Sequence, residues 1–384
     1  MRTLVLADLH LVGQTPRPLG EDLASLIAAH PGARIVLAGD LFDLPSEMPN
    51  VARDRALASA LDAQPHVRRA FAEHVDRGGE LWLISGNHDA EVGAPDFRDA
   101  LARAFGISSE SRARLRTTPW FFREGGVHIE HGHLYDPDNA PAHPLILGAR
   151  SLGTHFVEEL IAPTGAHRYL NANDQTPLKL LASAFAWYGV RGPYVVYRYF
   201  HAALTAMAAS GPFYGGRDEP AQGKPHEPAF AAEHGVPHEV IADLLARAAI
   251  PTMASFQHTF ARVYFDRVLA TLSILGGVGC ALAGSKRAAT LAVTAGAALM
   301  SASWALVTTA TRATDSDRLR DGAPAVRAVT GAHLVLFGHT HRGAGAGVRQ
   351  HRLDSPSTAT PPAAPSAGRG RSPKAIRRHW PAAG

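Results

Sequence analysis

The chain is short of cysteine and of charge. Its single cysteine, Cys280, among 384 residues excludes an internal disulfide framework and any cysteine-based zinc site. Charged residues make up 19% of the sequence against 46% hydrophobic, so a large core is available, with apolar material left over. The net charge of +4 is small, and the basic residues are almost all Arg and scattered. A nucleic-acid groove wants clustered basic residues interleaved with stacking aromatics; this distribution argues against such a partner. A hydrophobic leader is also missing: Met1-Arg2-Thr3-Leu4 runs straight into a strand pattern, from which a catalytic part on the cytoplasmic side is expected.

What the chain has is histidine, 21 of them, the commonest metal ligand in proteins. Several sit in a repeated pattern of apolar strand, tight turn, then Asp, Asn or His. Thr3–Ala7 leads into Asp8-Leu9-His10, and Arg34–Ala38 into Gly39-Asp40-Leu41-Phe42-Asp43. Glu80–Ile84 leads into Gly86-Asn87-His88-Asp89, and Val127–Glu130 into His131-Gly132-His133. His333–Phe337 closes the series with Gly338-His339-Thr340-His341. Helical segments are expected between them, at Leu23–Ala29, Arg53–Arg77 (stopped by Gly78-Gly79) and Phe97–Phe105. Strands alternating with helices predict a layered α/β domain whose functional groups gather at strand C-termini.

Roughly two hundred residues between His133 and His339 lack this pattern. Thr154–Ile161 and Pro177–Ala209 read as helical, and Pro237–Ala249 as an amphipathic helix. Val268–Gly284 and Ala288–Thr311 then form two stretches free of Asp, Glu, Lys and Arg, parted by Ser285-Lys286-Arg287. Such stretches approach the ~17–25 residues that cross a bilayer, so two transmembrane helices are expected. An even number of crossings would return the last motif to the side of the first four. The basic turn between them runs against the usual charge asymmetry of membrane loops. Past Gly343 the chain becomes a Gly, Pro, Ser, Ala and Arg tail that cannot bury a core, and residues 343–384 are expected to be disordered.

Taken in order, Asp8-x-His10, Gly39-Asp40, Gly86-Asn87-His88-Asp89, His131-Gly132-His133 and Gly338-His339-x-His341 resemble the calcineurin-like metallophosphoesterase superfamily. The resemblance covers residues 1–140 and 317–342, leaving 141–316 as a helical insertion that carries the apolar hairpin 268–311. It implies a four-layer α/β/β/α sandwich holding two metal ions. Carried over by position, Asp8, His10 and His341 hold one ion, Asn87, His131 and His339 hold the other, and Asp40 bridges them. His131 is preferred to His133, because the family pattern uses the first His of such a pair. By the same resemblance His88 contacts the phosphoryl oxygen or protonates the leaving group, with Asp89 supporting it. Asp43 is expected beside the site rather than on a metal.

The donor chemistry agrees: mixed imidazole, carboxylate and carboxamide ligands suit Mn²⁺ best, with Fe or Zn²⁺ as alternatives. Two ions ~3.5–4 Å apart clamp a phosphoryl group and generate a hydroxide nucleophile at neutral pH. Tyr135-Asp136-Pro137-Asp138-Asn139 either shapes the substrate pocket or is a plain turn. Asp8-Leu9-His10-Leu11, Gly39-Asp40-Leu41-Phe42-Asp43 and the helical insertion are also similar to UDP-2,3-diacylglucosamine pyrophosphatases, although that branch carries Arg where this chain has His88. The expected activity is therefore a membrane-associated hydrolysis of a lipid- or nucleotide-linked phosphoester or pyrophosphate. The competing readings are a tethered phosphodiesterase or nuclease with a soluble substrate, and an inactive membrane scaffold.

Overall fold

The computed structural model describes residues 1–47, 51–146, 151–166, 177–211, 219–310 and 315–340. Two sheets carry the motifs. The first has four parallel strands in the order β1 (Thr3–Leu6), β2 (Arg34–Ala38), β3 (Glu80–Ile84) and β4 (Leu115–Thr118). Leu4 lies opposite Ile35, Val36 opposite Trp82 and Leu83 opposite Thr117, so all four strands end at one edge. The second joins β5 (Phe121–Glu124) antiparallel to β6 (Val127–Glu130), and β6 parallel to β7 (Leu334–Phe337).

Alternation along the strands divides the apolar residues between layers. On β2 and β3, Ile35, Leu37, Leu81 and Leu83 face helices that bring Leu23, Ile27, Phe71 and Phe105. Their neighbours Val36, Ala38 and Ile84 turn the other way, onto Phe122 and Ile129 of the second sheet. Phe121 then points outward from that sheet, into a cluster with Trp120, Phe230, Ile241, Leu244, Leu319 and Val326. The order is helix, sheet, sheet, helix, the sandwich expected from the sequence. A further cluster inside the insertion, centred on Phe156, Leu160, Val195, Tyr199 and Ala203, gives that region its own core.

Element boundaries differ from the sequence reading where local chemistry intervenes. The single helix expected over Arg53–Arg77 is two, Arg53–Ala63 and Pro65–Asp76. Pro65 has no N–H to continue a helix, and it drives Gln64 out of the helical region to φ −121°, ψ 59°. Pro177–Ala209 likewise divides into Pro177–Tyr188 and Gly192–Ala209 around Gly189. Strands β4 and β5, four residues each, were not anticipated.

The apolar stretches form an antiparallel pair of helices, Phe265–Leu282 and Lys286–Ala310. They pack through small residues: Gly277 abuts the Ala289 carbonyl, Gly296 abuts that of Ala270, and Ser273 donates to the Ala292 carbonyl at 2.9 Å. Away from that seam the pair is bare. Only 17% of each apolar window is buried, and Leu272, Leu282 and Leu291 are 59%, 86% and 72% exposed. At the base Arg267 is buried, stacked over Tyr264 and Trp304 and donating to Ser303 Oγ at 3.1 Å. The tail from residue 343 lies outside the described residues.

Candidate metal centre

The polar clusters meet at the strand C-termini because the chain leaves each strand abruptly. Asp8, His10, Asp40 and His339 all have positive φ (56°, 45°, 51° and 73°), a region non-glycine residues rarely enter. The turn aims each side chain across the sheet edge instead of letting it continue the strand's alternation. Glycines supply the room. A side chain on Gly39, itself at φ 85°, would strike the His131 ring, and one on Gly86 would overlap Asp40.

Asp40 is the centre, and it is 1% exposed. Its Oδ2 lies 3.2 Å from His131 Nε2 and 3.7 Å from His10 Nε2, while its Oδ1 accepts the His88 backbone N–H at 2.9 Å. His131 donates Nδ1–H to the Ala38 carbonyl at 3.0 Å, which turns Nε2 inward, 3.1 Å from Asn87 Oδ1. A carboxylate, an imidazole and a carboxamide therefore converge. Asp8 Oδ1 accepts the His339 N–H at 2.8 Å, and the His339 ring stands 5.1 Å from that of His131. Two sets of ligand atoms result, His10–Asp40–His88 and Asp40–His131–His339, each within 4.8 Å of one another. Asp40 belongs to both.

The electrostatics fit cations as well. Burial opposes charge on Asp40, yet His131, His88 and His10 hold its pKa well below the carboxylate range. Burial also disfavours charged imidazoles, but the Asp40 charge overrides it and raises His88 and His131 to about 9 each. The proton on the His131 ring compensates the carboxylates where a metal ion would do so, which means metal binding there must expel it.

Asp89, expected to support His88, does something else. Both of its oxygens are spent on backbone: Oδ1 accepts N–H groups from Gly86 (2.8 Å) and Asp40 (3.1 Å), Oδ2 from Leu41 (2.8 Å) and Phe42 (3.2 Å). It staples one motif loop to the other. Burial and the nearby Asp40 push its pKa up to about 7. The carboxylate that holds His88 is Asp43, whose Oδ1 accepts Nδ1–H at 2.8 Å. His88 also comes within ligand reach of His10 and Asp40, closer to the metal positions than the sequence reading placed it.

His133 does not join the ligand atoms. It opens a short turn beyond His131 and its Nδ1 is buried without a partner; burial and the neighbouring His131 and His339 depress its pKa. His341 lies outside the described residues. Three contributors went unread in the sequence. Asp136 accepts from His339 Nε2 at 2.9 Å, Asn139 Oδ1 accepts from Asn87 Nδ2 at 3.2 Å, and Thr154 Oγ1 donates to the Asn87 carbonyl at 3.0 Å. Their only trace was the polar run Tyr135–Asn139 directly after a motif. His128 and Glu130, by contrast, are buried beyond the centre, where Glu130 accepts from Trp120 Nε1 and Tyr135 Oη.

A buried carboxylate shared by two ligand sets, at the C-terminal edge of a layered sandwich, marks a metal-dependent hydrolase fold. The profile of the calcineurin-like phosphoesterase family matches residues 1–198, and the chain belongs to that family. Its class is accordingly metal-dependent phosphoester hydrolase. The matched span ends before β7, which the structure nevertheless pairs with β6. No curated protein and no solved structure matches the chain.

Proposed function

We propose that this protein is a dinuclear phosphoesterase working at a membrane surface on a lipid- or nucleotide-linked phosphoester or pyrophosphate. The observation that carries the reading is Asp40, whose one carboxylate serves both ligand sets. Asp8, His10 and, by the motif, His341 would hold one ion; Asn87, His131 and His339 the other. Mn²⁺ suits this donor set best. When bound, the ions supply Lewis acidity toward the phosphoryl group and activate water.

The chain's own groups do the rest. The charges of Asp40 and Asp43 favour the cationic His88 ring, and Asp43 takes its Nδ1–H, so Nε2–H can bond a phosphoryl oxygen or protonate a leaving oxygen. Asp89 fixes the spacing between the Asp40 and Asn87 loops. Residues 1–140 with 317–342 make up the catalytic domain in this reading, and 141–316 the insertion. The bare leucines of the hairpin support insertion into lipid, and two crossings keep β7 on the side of β6.

The test is hydrolysis of phosphomonoesters, phosphodiesters and pyrophosphates, lipid-linked ones included, with Mn²⁺ added. Activity on a diester or pyrophosphate that Asp40→Asn abolishes is expected. Undiminished activity in Asp40→Asn would sink the shared-carboxylate mechanism.

A further inference from the structure

The loop Asp136–Asn139 touches two of the residues that would hold the second ion, His339 and Asn87. Asp136 Oδ2 accepts from His339 Nε2 at 2.9 Å and from Asn139 Nδ2 at 2.5 Å, and Asn139 Oδ1 accepts from Asn87 Nδ2 at 3.2 Å. With its Nε2–H donated, His339 is left with Nδ1 for a metal; with its amide nitrogen held, Asn87 presents its oxygen. The loop thus selects the ligating atom on two separate motifs.

The loop is itself held from the insertion. Arg262 reaches Asp138 Oδ2 through Nε at 2.6 Å and a terminal nitrogen at 2.5 Å. Thr252 Oγ1 donates to Asp138 Oδ1 at 2.7 Å, and the Thr252 N–H donates to the Pro137 carbonyl at 2.8 Å. From the other side the Gly153 N–H donates to the Asp138 carbonyl at 2.8 Å. Both carboxylate oxygens of Asp138 are engaged by residues more than a hundred positions downstream. No contact of Asp138 with the metal-ligand side chains is needed: it fixes the backbone, and its neighbours on either side fix the ligands.

We propose that Arg262 and Thr252 are positioning residues for the second metal position, acting through Asp138 on Asn87 and His339. This rests on the dinuclear reading above. In this arrangement the insertion between the fourth and fifth motifs adds a brace to the loop's own internal hydrogen bonds. Arg262 ends the helix Phe256–Arg262, and the apolar hairpin begins at Phe265, so the brace and the hairpin are consecutive in the chain.

The experiment is Mn²⁺ titration of the full-length protein followed by electron paramagnetic resonance, with thermal melting in parallel. Wild type is expected to bind two ions. Arg262→Ala should weaken the second by about tenfold and leave the first unchanged, since losing a group that orients a ligand costs ~10–100-fold in affinity. Thr252→Val should act in the same direction with a smaller change. Arg262→Lys should recover part of the loss, restoring the charge without the planar fork. A purely structural role would lower the melting temperature and leave the two affinities unsplit. If Arg262→Ala does not fold, Thr252→Val and Arg262→Lys carry the same comparison. Two ions bound at wild-type affinity in these variants, with Asp40→Asn losing both, overturns the brace alone. Fewer than two ions bound by wild type overturns the dinuclear reading instead, and two ions retained in Asp40→Asn overturns the shared carboxylate.

Discussion

Replacing Gly86 by Ala tests the centre with a single methyl group. The added Cβ would sit 2.5 Å from the Asp40 backbone nitrogen and closer still to its Oδ1, where ordinary contact begins at 3.4 Å. Relief requires Asp40 to retreat by roughly 1 Å, and it has nowhere to go. Its own N–H is held by Asp89 Oδ1 at 3.1 Å, and its Oδ1 receives the His88 N–H at 2.9 Å. Overpacking of this kind costs about 1–3 kcal/mol in stability, and misplacing a reacting group by 1 Å costs about 100-fold in rate. Gly79→Ala is the matched control. Its Cβ would press on the ring of His74, with Cε1 at 2.5 Å, at the opposite edge of the first sheet. His74 is buried and anchored to the Ala33 carbonyl at 3.0 Å, so the two variants should lose comparable stability. Melting curves would show that, while Mn²⁺ titration and bis(p-nitrophenyl) phosphate hydrolysis separate them: Gly86→Ala loses metal affinity and rate, Gly79→Ala keeps both. Equal Mn²⁺ affinity in the two variants would refute the placement of the metals around Asp40.

Three other outcomes follow from the same geometry. His88 and His131 have folded-state pKa values raised to about 9, above the 6.5 of free imidazole, so their contribution is complete below 6.5 and lost as pH rises through 9. Metal-stripped protein should therefore melt lower at pH 9 than at pH 6.5, and Mn²⁺ should flatten the difference; an increase with pH in the stripped protein contradicts the assignment. Asp43→Asn should lower kcat by about 100-fold, within the range for losing a positioned acid, with Mn²⁺ stoichiometry unchanged; loss of an ion would instead make Asp43 part of the metal shell. On fractionation, the full chain should stay with membranes through alkaline carbonate, and a variant lacking 265–310 should not; recovery of the full chain in the soluble fraction removes the membrane reading.

The strands β2 and β3 were readable to the residue because each holds an apolar run stopped by a polar cluster, and β6 because Val127-His128-Ile129-Glu130 alternates directly into the His131-Gly132-His133 motif. β4 and β5 were not, since Leu115–Thr118 and Phe121–Glu124 are too short and too mixed to show a period. The motif residues that meet at the sheet edge were readable from the sequence, but the contacts that orient them were not. His339 and Asp136 are 203 positions apart, and nothing in either sequence context points to the other. The exchange of roles between Asp89 and Asp43 has a local cause. Asp89 follows His88 at φ −137°, ψ 41°, and its two oxygens take four backbone N–H groups, from Gly86, Asp40, Leu41 and Phe42. Those bonds engage the Asp89 carboxylate, and Asp43 takes the imidazole N–H in its place.

Backbone strain ties these observations together. Among the described residues five that are not glycine have positive φ, and four of them, Asp8, His10, Asp40 and His339, are candidate ligands. Each such residue costs about 1–3 kcal/mol and persists only where its surroundings over-determine it. Those surroundings can be named: the His10 N–H donates to the Asp40 carbonyl at 2.9 Å, the Asp40 N–H to Asp89, and the His339 N–H to Asp8 Oδ1 at 2.8 Å. Four motifs from distant parts of the chain thus interlock, and three of them are held in conformations they would not adopt alone. Glycine at any of the four would relieve the backbone and forfeit a metal donor, which is why the strain is retained. The fifth residue is Tyr264, at φ 55°, on the short link between Arg262 and the hairpin. Strain is concentrated where the chain turns into the metal centre and where the brace turns into the apolar helices.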